Sequence, residues 1–479
     1  MVRWLPVIGF WCCFALLGPA TARAQGTLPR YRNAAVPIDA RVANLLHRMT
    51  LEEKFWQLFM IPGDLDQHDD YSHGVFGLQV PQPRGPIANN ARADAERINA
   101  IQRYFVTQTR LGIPIIPFEE AVHGLRRTGA TVFPQAIGLA ATWDTALMTR
   151  VATVIAEEAR SRGIRQVLSP VINIADDVRW GRVEETYGED PWLTSAMARS
   201  FIAPLESAGI ITTPKHFVAN VGAGGRDSYP IDLDERALDE RYFPPFRTAV
   251  VDAHARSVMA AYNSVDGVPA SQNRWLLTGK LKHEWKFPGF VISDAAGTGG
   301  ATVLHMTEAS TATATRDALN AGLDVIFQSS YPQYRPYWIA FRSGGIADST
   351  IDAAVRRVLR AKFQLGLFEH PYVDPDSAPQ LNHSAAHRKL ALEAAREAIV
   401  LLKNDRGALP IRRTIRSLAV IGVDAVEARL GGYSTSGDSV VSILDGLRNA
   451  AGSNIAVRYA PGPGRISPTY AVVPVTALS

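Results

Sequence analysis

The chain has 479 residues, of which 47% are hydrophobic and 20% charged, and this balance excludes a disordered or fibrous chain. A net charge of +4, with no block of five like charges, excludes the strongly basic surface of a nucleic-acid binder. Two adjacent cysteines, Cys12 and Cys13, exclude a disulfide framework.

Residues 1–24 read as a secretory signal peptide. Arg3 supplies the positive start, residues 4–17 form an uncharged and mostly apolar run, and Ala22-Arg23-Ala24 gives a small-x-small pattern before a cut at Gln25. The competing reading is an uncleaved anchor, but the run is short for a permanent span. Cleavage removes both cysteines, and with them thiol catalysis, cysteine-ligated zinc and iron–sulfur chemistry. The expected product is exported, periplasmic or secreted, with no membrane partner after cleavage and no nucleic-acid partner.

From residue 37 to about residue 370 one theme recurs: a short β-branched or apolar run ends in a polar residue, and a helical stretch follows. The runs 113–118, 167–172, 210–214, 257–261, 290–293 and 323–327 lead into Glu119-Glu120, Asn173, Lys215-His216, Tyr262-Asn263, Asp294 and Gln328. Steps of about 30 to 55 residues fit one strand, one helix and their loops. Residues 145–162 carry Leu147, Val151, Val154, Ile155 and Ala159 at helical period. Residues 351–365 carry Val355, Val358, Leu359 and Phe363, with Gly366 as a stop.

Six such steps point to an α/β fold, a (β/α)8 barrel over 37–370, which places chemistry at the C-terminal ends of its strands. The competing architecture is an open doubly wound sheet. It predicts a glycine-rich phosphate turn after the first strand, and no G-x-G-x-x-G or P-loop occurs.

Residues 371–392 read as a linker and 393–460 as part of an α/β sandwich. Within them 387–403 reads as a helix running into Ile399-Val400-Leu401-Leu402, 418–422 and 455–459 as strands, and 443–450 as a helix. Residues 461–479 read as an aberrant tail, and the unit as truncated.

No G-x-S-x-G elbow or H-E-x-x-H motif is present, and the 11 histidines lack metal-ligand spacing. What remains at the strand ends is carboxylates with Lys, Arg and His. This set suits glycoside chemistry, because charged groups grip sugar hydroxyls and a carboxylate stabilises or attacks the anomeric carbon.

Several motifs together carry a resemblance. They are Glu119-Glu120-Ala121-Val122-His123-Gly124, the stretch 177–191 around Gly181-Arg182, Lys215-His216-Phe217, Met259-Ala260-Ala261-Tyr262-Asn263, Val291-Ile292-Ser293-Asp294 and Val400-Leu401-Leu402-Lys403-Asn404. On these the chain resembles glycoside hydrolase family 3, the β-glucosidase and β-xylosidase group, from about residue 37 to 459. The resemblance implies a barrel followed by an α/β sandwich, and retaining hydrolysis of terminal β-D-glucosyl residues, with β-xylosidase as the close alternative. No cofactor or metal is implied, and the partner is an oligosaccharide or glycoside.

Residue by residue, Asp294 matches the nucleophile, with a helix N-cap as its bland alternative. Lys215 and His216 match the pair that binds sugar hydroxyls, against a surface lysine beside a core histidine. Arg182 matches a hydroxyl-binding arginine, against an ion pair with Glu184 or Glu185. Glu120 matches an acid that grips hydroxyls, against a solvated loop acid. Arg226 and Tyr262 are weaker candidates for substrate binding, and Glu184, Glu185, Glu189 and Asp190 read as structural. After Asp294 the sequence departs from pattern with Ala295-Ala296-Gly297. The acid/base is not found: the family's second-domain glutamate has no counterpart here, and Tyr229 stands where another branch has a histidine. A truncated, non-catalytic sugar-binding protein is therefore the competing class.

Overall fold

The computed structural model describes residue 1 and residues 28–65, 69–83, 90–412, 414–435 and 440–464. The expected signal peptide, apart from Met1, and the tail beyond residue 464 lie outside the described residues.

Eight short parallel strands form a closed ring. They are β1 (Phe59–Pro62), β2 (Gly77–Gln79), β3 (Phe118–Glu119), β4 (Gln166–Val167), β5 (Ile211–Thr212), β6 (Ser257–Met259), β7 (Phe290–Ile292) and β8 (Ile326–Phe327). Parallel ladders join β1 to β2, β3 to β4, β4 to β5 and β6 to β7. The Ile116 amide donates to the Phe76 carbonyl and links β2 to β3. Bridges from Phe217 to Ala260 and from Ile292 to Val325 continue β5 into β6 and β7 into β8. The β8–β1 ladder, Phe59 opposite Ile326, closes the cylinder. The backbones approach most closely at Gly77, where a Cβ would lie 1.9 Å from the Ile116 carbonyl oxygen, so only glycine fits.

Burial explains why these strands read as apolar runs rather than as alternating patterns: β6 and β7 are buried along their whole length, with barrel interior on one side and helices on the other. The expected barrel is present, and its six sequence-read runs are β3 to β8. β1 and β2 were missed. Phe59-Met60-Ile61 sits directly against a helix, and the apolar run around β2 is interrupted by Gly77 and Gln79.

The helices pack outside. Residues Thr145–Ser161 form a helix capped by Asp144, which accepts from the amides of Ala146 and Leu147 at 2.8 and 2.9 Å. The helix Pro191–Ser207 is capped by Asp190, which accepts from Leu193 at 2.7 Å. Both caps satisfy donors that the first helical turn leaves open. The helix Asp348–Gln364 buries Ile351, Val355, Val358 and Leu359.

Beyond the barrel, a helix spans Ala385–Glu397. It does not run on through Lys403 as the sequence suggested. Residues 399–402 have no regular structure, and their four apolar side chains are exposed. β-Branched Ile399 and Val400 disfavour continuing a solvent-facing helix. Next come β9 (Ser417–Ile421), the helix Ile443–Ala451 and β10 (Ala456–Ala460). The two strands are parallel in a five-residue register from Ser417 opposite Ala456 to Ile421 opposite Ala460. Val420, Ala425 and Leu444 form their small core. The architecture is thus an α/β barrel followed by a second α/β unit.

Candidate active site

The C-terminal ends of five neighbouring strands bring the key side chains together. Glu120 follows β3, Asn173 lies beyond β4, Lys215 and His216 beyond β5, Tyr262 beyond β6 and Asp294 beyond β7. Each sits where the apolar strand stops, so a buried rigid backbone aims a polar group at the barrel mouth.

Lys215 and Glu120 form a symmetric pair, with Nζ 2.9 Å from both Oε1 and Oε2. Both residues are buried, so the solvated-loop reading of Glu120 and the surface reading of Lys215 are corrected. Burial pushes the Glu120 carboxyl up to about 7, with Lys215 pulling against it. Burial is also the largest influence on the Lys215 ammonium and works against it, but Glu120, Tyr433 and Asp294 together hold Lys215 above its ordinary value. Glu119 has other partners. It accepts from Gln79 at 2.6 Å and from the Glu120 amide at 2.9 Å, and it pairs with buried Arg127 at 2.8 Å.

His216 lies 3.4 Å from Asp294, Nε2 to Oδ2. Burial, with Arg182 and Lys215 repelling a further positive charge, lowers its pKa well below the ordinary value, so the imidazole is neutral. Its tautomer follows from Asn173. The Asn173 amide nitrogen donates to the carbonyls of His216 and Ala219, so its oxygen is the acceptor facing Nδ1 at 2.9 Å. The proton sits on Nδ1, and Nε2 presents a lone pair beside Asp294.

Asp294 accepts the Ala295 amide at 2.7 Å. Burial raises its pKa, and Lys215, the Ala295 amide, Arg182 and Tyr262 oppose the rise. The Tyr262 hydroxyl donates to the Ala295 carbonyl at 2.7 Å and adjoins Asp294. The bland N-cap reading of Asp294 does not hold: no helix is capped by its side chain among the described residues, and the short turn after it begins behind Ala296.

Arg182 makes a two-pronged pair with Glu185 at 2.9 and 2.8 Å, so its ion-pair partner is Glu185 rather than Glu184. It also lies within electrostatic reach of Asp294, Lys215 and His216. Arg226 is not joined to this cluster. It is exposed on a hairpin, with its guanidinium 4.8 Å from the Tyr229 ring and 3.5 Å from the Ala223 carbonyl. An arginine next to a Gly-Gly turn is held outward by that turn.

Sequence reasoning missed Asn173 as more than a strand end, and it missed Tyr433. The loop around Tyr433 comes from the second unit and places the ring centroid 4.8 Å from Lys215 Nζ. A local sequence signal for such a long-range arrival does not exist. A cavity of about 560 Å3 lies at the opposite barrel end, before β6 and β7. Its arginines 256, 357 and 360 are already paired with Glu206, Asp324 and Asp39. Among the described residues no three His, Cys, Asp or Glu side chains are grouped to hold a metal ion, and no helix is long and apolar enough to cross a membrane.

The glycosyl hydrolase family 3 N-terminal domain matches residues 50–361, and the family's C-terminal domain matches residues 399–473. A periplasmic β-glucosidase of Salmonella typhimurium is 33% identical over 96% of this chain and 60% of its own length. A β-xylosidase of Formosa agariphila is 34% identical over 92% of this chain and 59% of its own. The solved structure of a β-glucosidase from Erythrobacter marinus superposes with a TM-score of 0.83 at 34% identity, covering 91% of this chain and 60% of that one. The chain thus spans about 60% of the length of these relatives. With the N-terminal domain matched across the barrel, and the C-terminal domain matched beyond it, the chain belongs to glycosyl hydrolase family 3.

Proposed function

We propose that this protein is a retaining exo-β-glycosidase that removes terminal non-reducing β-D-glucosyl residues through a covalent intermediate on Asp294. The observation that carries the reading is the setting of Asp294: a half-buried carboxylate at a barrel strand end, its side chain still 12% exposed, 3.4 Å from a neutral His216 and flanked by Lys215, Arg182 and Tyr262.

In this reading the nearby cations restrain the burial-driven rise of the Asp294 pKa and favour the ionised nucleophile. Attack on the anomeric carbon forms the glycosyl–Asp294 ester and expels the aglycone. Water then cleaves the ester with overall retention. Glu120, Lys215 and Arg182 hold ring hydroxyls by charge-assisted hydrogen bonds, and the His216 Nε2 lone pair accepts one. Export to a periplasmic or extracellular space belongs to the same proposal, supported by the residue 1–24 pattern and the periplasmic relative.

β-Xylosidase activity is the second reading, favoured by the xylosidase relative at 34% identity. Xylose lacks the hydroxymethyl group, so comparison of aryl β-glucoside with aryl β-xyloside separates the two.

Proton supply to the leaving group shapes the test. Glu120 and Glu185, the carboxyls beside the site cations, are committed to Lys215 and Arg182. General acid help is worth about 10² to 10⁴-fold, so an activated aryl glucoside, which needs no proton, is expected to turn over at least about 100-fold faster than cellobiose. Product NMR should show the β-anomer first. An α-anomer as first product, or affinity for glucose with no turnover of any glycoside, overturns the proposal.

A further inference from the structure

The second unit sends one loop into the barrel mouth, and three barrel side chains latch it. Glu184 Oε1 accepts the Gly432 amide at 2.9 Å. Gln135 Nε2 donates to the carbonyls of Leu430 and Gly432, both at 3.2 Å. His123 Nε2 lies 3.0 Å from the Gly432 carbonyl and 3.1 Å from Ser434 Oγ. The fit is tight: a Cβ at Gly431 would lie 1.7 Å from Gln135 Nε2, and Gly431 has φ +87°. Tyr433, a bulky residue, adopts φ +55°, a left-handed conformation that costs energy unless its surroundings hold it.

The held ring lies where two ion pairs meet. Its centroid is 4.8 Å from Lys215 Nζ, within cation–π distance. Its phenol is within electrostatic reach of Lys215, Glu120, Arg182 and Glu185. Of the three donors on the Lys215 ammonium, two directions are taken by Glu120 Oε1 and Oε2. The aromatic face meets the same charge from the second unit.

We propose that Tyr433 is a positioning residue for the Lys215–Glu120 pair: its ring face, delivered across the unit boundary by the latched loop, fixes the ammonium in the geometry that binds sugar hydroxyls. This rests on the glycosidase reading and names the residue through which the second unit completes that site. A hydrophobic wall of equal volume does not substitute, because the attraction is to the ring quadrupole.

Calorimetric titration of glucose into the 479-residue protein tests this. Tyr433→Phe keeps the ring and is expected to bind within about twofold of the parent. Tyr433→Leu keeps bulk without the quadrupole and is expected to bind about three- to twentyfold more weakly. In the Lys215→Met background the Phe and Leu variants should bind alike. Equal affinities for Phe and Leu in the presence of Lys215 overturn the proposal. A second readout needs no sugar: the Lys215 Hε resonances should be shifted upfield by the ring in the parent and in Tyr433→Phe, and return to ordinary values in Tyr433→Leu. A protein that binds no glucose in any form sinks the glycosidase reading. The ring proposal then stands or falls on that resonance shift, and an unshifted Lys215 in the parent overturns it.

Discussion

Asn173 decides which nitrogen of His216 carries the proton. Its amide nitrogen is held by two carbonyls at 2.8 and 3.2 Å, so its oxygen must accept, and the His216 backbone amide and Nδ1 both point at that oxygen. The neutral imidazole therefore turns a lone pair, not a proton, toward Asp294. An Nε2–H there would bind the carboxylate and compete with substrate.

Asn173→Asp keeps the acceptor and adds a negative charge against the imidazole. Its expected effect is a higher His216 pKa, because an adjacent carboxylate favours imidazolium. Imidazole resonances followed by NMR against pH are expected to show His216 titrating at higher pH than in the parent. Turnover of an aryl glucoside should fall about 10-fold or more as His216⁺ pairs with Asp294. Unchanged titration and turnover would show that Asn173 does not govern the tautomer.

Glu120 carries a second pH signature. Its carboxyl is pushed up to about 7 by burial, so it ionises across the neutral range. An ionised acceptor binds hydroxyls more strongly than a neutral one. Glucose affinity is thus expected to rise as pH passes upward through about 7. Glu120→Gln should bind more weakly above that range and lose the step. A step of the same size in Glu120→Gln would assign it to another group.

How far the sequence showed this site depends on how each residue gets there. Glu120, Lys215, His216, Tyr262 and Asp294 all terminate barrel strands, so a short apolar run followed by a polar residue marks them without any three-dimensional knowledge. Arg182 lies on a loop, where only its neighbourhood motif singles it out. Its pairing with Glu185 three residues on is local, and the sequence left it open between two glutamates. Asn173 ends the run 167–172 and so carries the same local mark, but its contacts with His216 and Ala219 are not local, and Tyr433 has no local mark at all. The fold divides similarly: six strands fall on β-branched or apolar runs and were legible, whereas β1 abuts a helix and the run around β2 is broken by Gly77 and Gln79. The helix expected through Lys403 failed because apolar composition was read as helix where Ile399 to Leu402 are exposed and irregular.

A third prediction concerns the hold of the helix Ala385–Glu397 on the barrel. His387 Nδ1 is 2.9 Å from Glu158 Oε1, and Nε2 is 3.5 Å from Glu157 Oε2. Glu158 also accepts from the Thr131 amide and hydroxyl at 2.8 and 2.7 Å and from the His383 amide at 3.0 Å. The hydrogen bond to Glu158 raises the His387 pKa, burial opposes it, and the charges of Glu158 and Glu157 add to the rise. A histidine raised on folding contributes stability that is full below its unfolded pKa of about 6.5 and lost as pH climbs through the folded value. The Tm difference between the parent and His387→Gln should therefore be largest near pH 6 and shrink toward pH 9. A difference that grows with pH would contradict the pairing.

The central claim is covalent chemistry at Asp294. Incubation with a 2-deoxy-2-fluoro-β-glucoside bearing a good leaving group slows hydrolysis of the intermediate, and peptide mass mapping then finds the adduct. The prediction is a single fluoroglucosyl mass on the peptide that contains Asp294, absent in Asp294→Asn. An adduct on any other residue, or none while aryl glucoside is still hydrolysed, would contradict it.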